Sequence, residues 1–354
     1  MALDSIPQRV MNQGKVRPFQ SAYHVKRGGL WRATSWKDYV REVRTAARAL
    51  IALGLPVGGK VAMLGFNRPE WVIFDVAAMC AGGAGAGVYT TCSAEEVQYI
   101  VHHAEATAIL LEDAGQWAKI AARRAELPLL RWAVMMKGAP KIDDPMVLSW
   151  DELNARAASV PDAAVDERID RIQQDQLACL IYTSGTTGPP KGVMLSHGNL
   201  AWTAPAMARM VDSKHDDCCV SYLPLSHIAE QMMSIHGPST MGSSVYFAES
   251  IEKVPENLKE IQPTAVFGVP RIWEKFHAGV SAKLAQATGA KKHLVAWTRK
   301  VCTEVTGLRN QGRPIPPLLE VQYRVVDKLV LSKLKPALGE ALVALGAASK
   351  EDVL

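Results

Sequence analysis

The chain of 354 residues is long enough for more than one average domain and for a large core. It is 48% hydrophobic and 21% charged, which is the balance of a soluble globular protein. The net charge of +5, from 40 basic and 35 acidic residues, is a small excess spread along the chain and argues against a nucleic-acid partner. The six cysteines show no C-x-x-C spacing, and no signal peptide precedes them, so reduced thiols in a cytoplasmic protein are expected.

The first 150 residues alternate helix and strand patterns. Residues 35–38 resemble a capping box and begin a helix that is expected to end at Gly54. Residues 60–65 predict a buried strand, after which Asn67 is expected to cap a helix. Residues 71–89 are apolar apart from Asp75, and their glycine-rich end favours helix, turn and buried strand over a membrane span. Strands are also predicted at residues 88–91, 107–111 and 132–135, with a helix beginning at residues 93–96.

After residue 150 the pattern changes and then resumes. Residues 154–174 are polar and alanine-rich, as in a surface helix or a linker. Further strands are predicted at residues 177–181, 218–223, 245–247 and 264–268, and Pro270 is expected to start a helix. Two long amphipathic helices are predicted around residues 294–308 and 318–338, joined by a tight proline-containing connection. This alternation predicts an α/β fold of layered, mainly parallel sheets covered by helices.

The most informative passage is residues 182–192, Y-T-S-G-T-T-G-P-P-K-G, which follows an apolar strand pattern. Glycines let a backbone approach a phosphate, hydroxyls supply donors or a metal ligand, and a lysine supplies positive charge. The passage is not a Walker A loop, because Pro190 precedes Lys191 and Gly192 follows it. A hairpin without a ligand is the alternative, but a simple turn does not require this order of residue types. The predicted phosphate-binding residues are Thr183, Ser184, Gly185, Thr186, Thr187, Gly188, Pro189, Pro190 and Lys191.

This passage resembles the phosphate-binding motif of the adenylate-forming (AMP-binding) superfamily, which includes acyl-CoA synthetases, luciferases and peptide-synthetase adenylation domains. Residues 222–227, Y-L-P-L-S-H, look like the segment that lies beside the acyl site in acyl-CoA synthetases. Residues 87–99 and 268–275 are similar to long-chain enzymes, and residues 87–99 in particular to the bubblegum type. The similarity runs from about Arg17 to the end of the chain. It implies the fold of the N-terminal domain of these enzymes, with ATP, Mg²⁺ and CoA as cofactors and Thr183 as a candidate Mg²⁺ ligand.

His227 has two interpretations that the sequence leaves open. The resemblance implies a catalytic position near the bound carboxylate or at the entrance of the acyl tunnel. The local alternative is that His227 caps a helix beginning near Ser226.

The end of the chain departs from the family pattern. The family's Tyr-Gly-x-Thr-Glu and Thr-Gly-Asp segments and its C-terminal lid domain with a catalytic lysine are not found in the sequence. Gly346, Ala347 and Ala348 resemble the loop that approaches the adenine, without the proline that follows it in the family. We therefore expect residues 1–354 to be a partial N-terminal AMP-binding domain. Its first sheet region is expected at about residues 35–150, and its phosphate loop and second sheet region at about residues 175–354.

The resemblance implies a long-chain fatty acid–CoA ligase, which converts fatty acid and ATP into acyl-AMP and pyrophosphate and then transfers the acyl group to CoA. Because several site elements are missing together, these 354 residues are expected to be inactive by themselves. One alternative is a catalytically dead nucleotide- or acyl-binding fragment, and another is a ligase for a different carboxylic acid. A peripheral membrane contact is a further expectation.

Overall fold

The computed structural model of the chain describes residues 4–183 and 188–332, apart from the side chains of residues 270–273, 275, 276, 280 and 283. The chain divides into two compact units. Unit 1 comprises Met1–Asp216 and Ser221–Ala248, and unit 2 comprises Asp217–Val220 and Glu249–Leu354.

The strands and helices alternate along most of the chain. The strands are β1 (Ser21–Arg27), β2 (Leu30–Ser35), β3 (Lys60–Leu64), β4 (Ala84–Val88), β5 (Ala106–Leu111), β6 (Trp132–Met135), β7 (Val147–Ser149), β8 (Leu177–Thr183), β9 (Lys191–Ser196), β10 (Cys218–Ser221) and β11 (Ser244–Phe247). The α-helices are α1 (Ile6–Val16), α2 (Trp36–Ala52), α3 (Pro69–Cys80), α4 (Ala94–His103), α5 (Ala114–Ala122), α6 (Trp150–Ala155), α7 (Ala163–Asp170), α8 (His197–Met210), α9 (Ile228–Gln231), α10 (Gly237–Met241), α11 (Val254–Ile261), α12 (Pro270–Ala285), α13 (Ala290–Asn310) and α14 (Pro317–Val326). Short 3₁₀-helices lie at Arg124–Glu126 and Arg156–Ser159, and π-helices at Met232–His236 and Asp327–Leu331.

Unit 1 is built on a seven-stranded sheet with the order β7-β6-β5-β3-β4-β8-β9. Neighbouring strands run parallel except for β8 and β9, which are antiparallel. Every residue of β4 is buried, and its sequence of small residues lets helix α3 pack closely. A Cβ at Gly85 would collide with the buried carboxylate of Asp75 on α3. The α/β fold with a mainly parallel sheet is therefore confirmed.

A second group of strands in unit 1 surrounds β1. This strand pairs antiparallel with β2 through a Gly28–Gly29 turn and parallel with β11. Tyr23 of β1 is buried and packs edge-to-face on Tyr39 of α2, at a ring-centroid distance of 5.8 Å.

Several local predictions are confirmed. Ser35 is the N-cap of α2, where its hydroxyl accepts from the Asp38 amide at 3.1 Å, and Gly54 follows the helix with a φ of +88°. Residues 71–89 form most of α3, a turn and β4, as expected. No helix of the described residues is long and apolar enough to cross a membrane.

Several local predictions are wrong or only partly right, and among them the strand expected at residues 218–223 ends at Ser221. Arg68, not Asn67, is the N-cap of α3, because the Asn67 side chain bonds to a distant segment instead. The strand expected at residues 88–91 ends at Val88. Residues 264–268 form no regular strand, and Ala265 makes an isolated parallel bridge with Cys219.

Unit 2 is mainly helical after the short segment that contains the first residues of β10. Helices α11 to α14 and the second π-helix follow one another from Val254 to Leu331. Residues of α13, α14 and the π-helix form a small apolar core, which contains Val301, Cys302, Val305, Leu319, Val326 and Leu331. The predicted sheet regions, about 35–150 and about 175–354, stay predictions.

Candidate nucleotide and acyl site

The two ends of the predicted phosphate-binding passage, Thr183 and Lys191, lie on the β8–β9 hairpin at the carboxyl edge of the parallel sheet. Ile181 of β8 pairs with Gly87 near the carboxyl end of β4, and Thr183 is two residues further along. Thr183 faces Lys191 across the hairpin, and both residues are exposed. Open α/β sheets bind ligands at this edge. Thr183 and Lys191 are thus exposed neighbours on the hairpin, at the edge of the sheet where a phosphate would bind.

Tyr182 anchors the start of this passage. Its ring is 2% exposed and lies against Gly192, where a Cβ would come within 3.2 Å of the ring. Its hydroxyl makes a 2.8 Å hydrogen bond with Nδ1 of His103 on α4, and burial raises the pKa of Tyr182 to about 12. Tyr182 is the residue before Thr183. Its hydrogen bond to His103 therefore holds the end of β8 in place directly before the first exposed residue, Thr183.

The segment of residues 222–227 lies over the carboxyl end of β4. A Cβ at Gly87 would be 2.7 Å from the Cα of Ser226, so glycine is required for the segment to come this close. The Ser226 hydroxyl is also hydrogen-bonded to the hydroxyl of Tyr89, just beyond the strand. Since β8 pairs with β4, the structure brings the 222–227 segment and the phosphate-binding hairpin to the same edge of the sheet.

His227 caps a helix, as the local interpretation predicted. It is the N-cap of α9, and its Nδ1 accepts a hydrogen bond from the Ala229 amide at 3.1 Å. A neutral imidazole that accepts at Nδ1 carries its proton on Nε2. The ring is exposed, so Nε2–H is the group that His227 can offer to a ligand. Its catalytic role stays a prediction.

A buried carboxylate holds the backbone of the 222–227 segment. Glu230 on α9 is 2% exposed, and its carboxylate accepts hydrogen bonds from the hydroxyls of Ser221 at 2.7 Å and Ser234 at 2.6 Å. It also accepts from the backbone amides of Tyr222 and Leu223. Burial outweighs these bonds and raises the pKa of Glu230 to about 7.

Two amide side chains complete the support of this segment. Asn67, which follows β3, donates through Nδ2 to the carbonyl of Leu223 at 2.7 Å and to the hydroxyl of Ser221 at 2.8 Å. Gln231 donates to the carbonyl of Leu225 at 2.9 Å and accepts from Sγ of Cys179 on β8 at 3.5 Å. Asn67 therefore links the segment to the end of β3, and Gln231 links it to the interior of β8.

Sequence reasoning missed Glu230 and Gln231 and assigned Asn67 only the role of a helix cap. The available signal was the glutamate three residues after the end of the Y-L-P-L-S-H segment, in a stretch that is otherwise mostly apolar. A charge in such a stretch is expected to have specific partners. The predicted residues Ser184, Gly185, Thr186, Thr187, Gly346, Ala347 and Ala348 lie outside the described residues. Gly188, Pro189 and Pro190 lie between the described ends of the hairpin, with Gly188 at a φ of +83°.

The donors on the hairpin suit a magnesium–phosphate complex better than a protein-only metal site. Within residues 4–183 and 188–332, no cluster of three or more histidine, cysteine or acidic side chains could hold a metal ion. Mg²⁺ in nucleotide sites is commonly held by one or two protein oxygens together with the phosphates. The exposed Thr183 hydroxyl beside a lysine fits that arrangement.

Comparison with known proteins agrees with the geometry. The family model "AMP-binding enzyme" matches residues 11–342. Long-chain-fatty-acid–CoA ligase ACSBG2 of Homo sapiens is 40% identical over 320 residues, which are 89% of this chain and 47% of that protein. ACSBG1 of Bos taurus is 37% identical over 328 residues, which are 91% of this chain and 45% of that protein. The chain thus spans about half the length of these bubblegum-type relatives.

Solved structures show the same fold. A crystal structure of the anthranilate CoA ligase AuaEII in complex with anthranoyl-AMP matches with a TM-score of 0.67 at 20% identity, covering 78% of this chain and 52% of that one. ATP-bound MatB from Rhodopseudomonas palustris matches with a TM-score of 0.64 at 24% identity, covering 77% and 50%. Because the family model matches residues 11–342, most of its length, the chain belongs to the AMP-binding enzyme family.

Proposed function

We propose that this chain forms the nucleotide-phosphate site and part of the acyl site of a long-chain fatty acid–CoA ligase. The enzyme would use ATP to form a fatty acyl-adenylate and would then transfer the acyl group to CoA. The observation that carries the proposal is the contact of Gly87 with Ser226, because it places the 222–227 segment at the strand end that neighbours Thr183. The curated relatives that carry this name support the choice of a long-chain acid.

Each residue of the site has a definite task in this proposal. Lys191 and the amides of the 182–192 passage bind the β- and γ-phosphates, because charge-assisted hydrogen bonds to phosphate are strong. Thr183 holds Mg²⁺, whose charge offsets that of the phosphates when the nucleotide is bound. His227 donates Nε2–H to an oxygen of the fatty carboxylate and orients it. Orientation of two anions by fixed donors is where most of the rate enhancement of such a reaction arises.

Two alternative functions differ from this one in what the chain should bind. A catalytically dead fragment would bind ATP or a fatty acid, and the presence of one ligand would not change the affinity for the other. A ligase for another carboxylic acid would prefer aryl or medium-chain acids. The proposed function predicts binding of Mg·ATP and a preference for acids of long chain.

Binding measurements on the 354-residue chain test the nucleotide site first. Equilibrium dialysis with Mg·ATP should give a lower affinity for Lys191→Ala than for the parent chain, by roughly 1–3 kcal/mol, the scale of a lost charge-assisted hydrogen bond. Lys15→Ala, which removes an exposed lysine of α1, is the matched control and should bind like the parent. Equal affinity of all three proteins would refute the phosphate-binding assignment.

The acid is tested with the same proteins. Fatty acids of increasing chain length and benzoate are titrated in the presence of a non-hydrolysable ATP analogue. If the long-chain acids bind most tightly, the result supports the proposal. If benzoate or octanoate binds most tightly, the result supports a ligase for another carboxylic acid. An affinity for the acid that is the same with and without the nucleotide analogue would favour the alternative of a catalytically dead fragment.

A further inference from the structure

The turn between β1 and β2 projects from unit 1. Residues 26–32, which we call the hairpin tip, have the sequence K-R-G-G-L-W-R. Gly28 and Gly29 have φ values of +58° and +76°, and a Cβ at either position would meet no atom within 4 Å. β2 is the last strand of its sheet in the described part of the chain. The tip therefore extends into open space, with no other described element above its glycines.

The hairpin tip combines positive charge with exposed apolar surface. Leu30 is 58% exposed, and Arg27, its cross-strand partner, is exposed as well. On the other face of the hairpin Lys26 pairs with Trp31, and its ammonium lies 5.7 Å from the centre of the indole ring. Arg32 is the third basic residue of the tip and is also exposed.

The charge of this region is not balanced locally in the sequence. Residues 15–37 contain six basic residues and no acidic residue, although the whole chain has nearly equal numbers of both. The basic residues are Lys15, Arg17, Lys26, Arg27, Arg32 and Lys37. An ordinary solvated face of this protein would be expected to carry both signs of charge.

Trp31 is held in place by neighbouring rings. Its indole lies edge-on to the ring of Tyr246 on β11 at 5.3 Å between centroids, and His24 stacks on the same ring at 3.9 Å. An indole fixed at a hairpin end, beside an exposed leucine and basic residues, is the side-chain set of an interfacial membrane contact. Tryptophan favours the level of lipid headgroups, lysine and arginine favour anionic lipids, and leucine favours the acyl boundary.

We propose that the hairpin tip binds the surface of an anionic lipid bilayer. Leu30 enters the boundary between headgroups and acyl chains, and Trp31 lies at headgroup level. Arg27, Arg32 and Lys26 contact lipid phosphates. A nucleic acid would also attract the basic residues, but it gives no reason for an exposed leucine at the end of the projecting turn. The proposal stands on this surface alone and does not depend on the ligase activity proposed above.

Vesicle flotation with the 354-residue chain tests the proposal. Vesicles of phosphatidylcholine alone are compared with vesicles that contain about one third phosphatidylserine, at low and at physiological salt. Each basic residue near an anionic surface strengthens binding about fivefold. Arg27→Glu/Arg32→Glu should therefore weaken partitioning to the anionic vesicles roughly 20-fold or more. Leu30→Ser should weaken it about fivefold, and Leu30→Trp should strengthen it.

Matched variants separate the tip from the overall charge. Arg131→Glu/Lys141→Glu changes the net charge by the same amount at two other exposed positions, and Leu129→Ser removes another exposed leucine. Both should partition like the parent chain, and circular dichroism checks that every variant is folded. Equal losses in tip and control variants, or parent binding that ignores phosphatidylserine, would overturn the proposal. Tighter binding to single-stranded RNA than to anionic vesicles, lost in the arginine variant but kept in Leu30→Ser, would assign the tip to nucleic acid instead.

Discussion

Gly87 shows how one missing side chain shapes the candidate site. Its Cα hydrogen occupies the place where any Cβ would press on the Ser226 backbone at 2.7 Å and on Trp71 at 3.2 Å. The backbone of β4 is a regular parallel strand at this position, so the requirement for glycine is one of space and not of φ. The approach of the 222–227 segment to the sheet therefore depends on this residue.

Gly87→Ala should lower the free energy of unfolding by about 1–3 kcal/mol, the usual cost of adding a methyl group to a packed interior. The 222–227 segment should also exchange its amide hydrogens faster, because it must move away from β4. Gly307→Ala on α13 is the matched control, since a Cβ there meets nothing within 4 Å and alanine is favoured in a helix. Urea unfolding measures both variants, and a Gly87→Ala protein as stable as the control would contradict the argument.

Glu230 is the second residue on which the segment depends. Glu230→Ala leaves the hydroxyls of Ser221 and Ser234 and two backbone amides without their acceptor. It should destabilise the protein by at least about 1–3 kcal/mol, the cost of one unsatisfied buried group. Glu230→Gln keeps one carbonyl acceptor and should lose less. The two variants are compared by urea unfolding at pH 6, together with hydrogen exchange at the amides of Tyr222 and Leu223. Equal stability of the two variants would show that the acceptor is not what matters.

At the scale of elements, α4 is linked to the start of the phosphate-binding hairpin by a side-chain hydrogen bond. His103 in the last turn of α4 meets Tyr182 near the end of β8, and Tyr99 stacks on the His103 ring one turn earlier. The capping box of Ser93 and Glu96 fixes the other end of this helix. The end of α4 thereby fixes the position of the Tyr182 hydroxyl through His103.

A double-mutant cycle measures this link. His103→Phe and Tyr182→Phe each remove one partner, and the double variant removes both. The coupling free energy should be about 0.5–1.5 kcal/mol, which is the net value of a typical hydrogen bond in a protein. A coupling near zero in urea unfolding would mean that the two side chains are only neighbours.

The sequence predicted most elements of the sheet but few of the contacts that build the site. The helix start at residues 93–96 and the helix–turn–strand pattern of residues 71–89 are local signals, and both are confirmed. The partners of Asn67 are more than 150 residues away, at Ser221 and Leu223, so its local pattern suggested only a helix cap. The strand expected at residues 264–268 has suitable residues but forms isolated bridging and no regular ladder, because strand propensity alone does not supply a neighbour.

At the scale of the whole molecule, four buried ionisable groups of unit 1 act in opposite directions on stability. Burial raises the pKa of Asp75 to about 8 and that of Glu230 to about 7. Burial lowers the pKa of His197 to about 4 and that of His236 to about 3, the latter helped by the nearby His197 and Arg9. The stability that comes from the raised carboxyl pKa values is lost as pH rises, from about 3.8 to about 8 for Asp75 and from about 4.5 to about 7 for Glu230. The depressed histidine values give stability that is lost as pH falls below about 6.5.

Between pH 5 and 6.5 the two carboxyls and the two histidines should nearly cancel, so the parent chain should show little change in stability. His236→Leu removes one histidine, and its stability should then fall with rising pH by about 1 kcal/mol per pH unit in this window. Asp75→Asn should do the opposite, so that its stability rises with pH. Neither side chain has a hydrogen-bond partner in the described structure, so the comparison isolates ionisation. Urea midpoints at pH 5 and 6.5 measure the slopes, and parallel slopes for all three proteins would contradict this assignment.

The antiparallel pairing of β8 and β9 also limits how the passage between them can vary in length. Side chains alternate between the two faces of a strand, so a shift of one residue moves every side chain of β9 to the opposite face. A shift by one residue would bring Val193 or Lys191 against the ring of Tyr182, where a Cβ on residue 192 would already lie within 3.2 Å. A shift by two residues would restore the alternation of faces but would place Met194 or Pro190 opposite Tyr182. Homologous chains that keep this hairpin should therefore accommodate any change of length between Thr183 and Lys191 and retain the pairing of Tyr182 with a glycine.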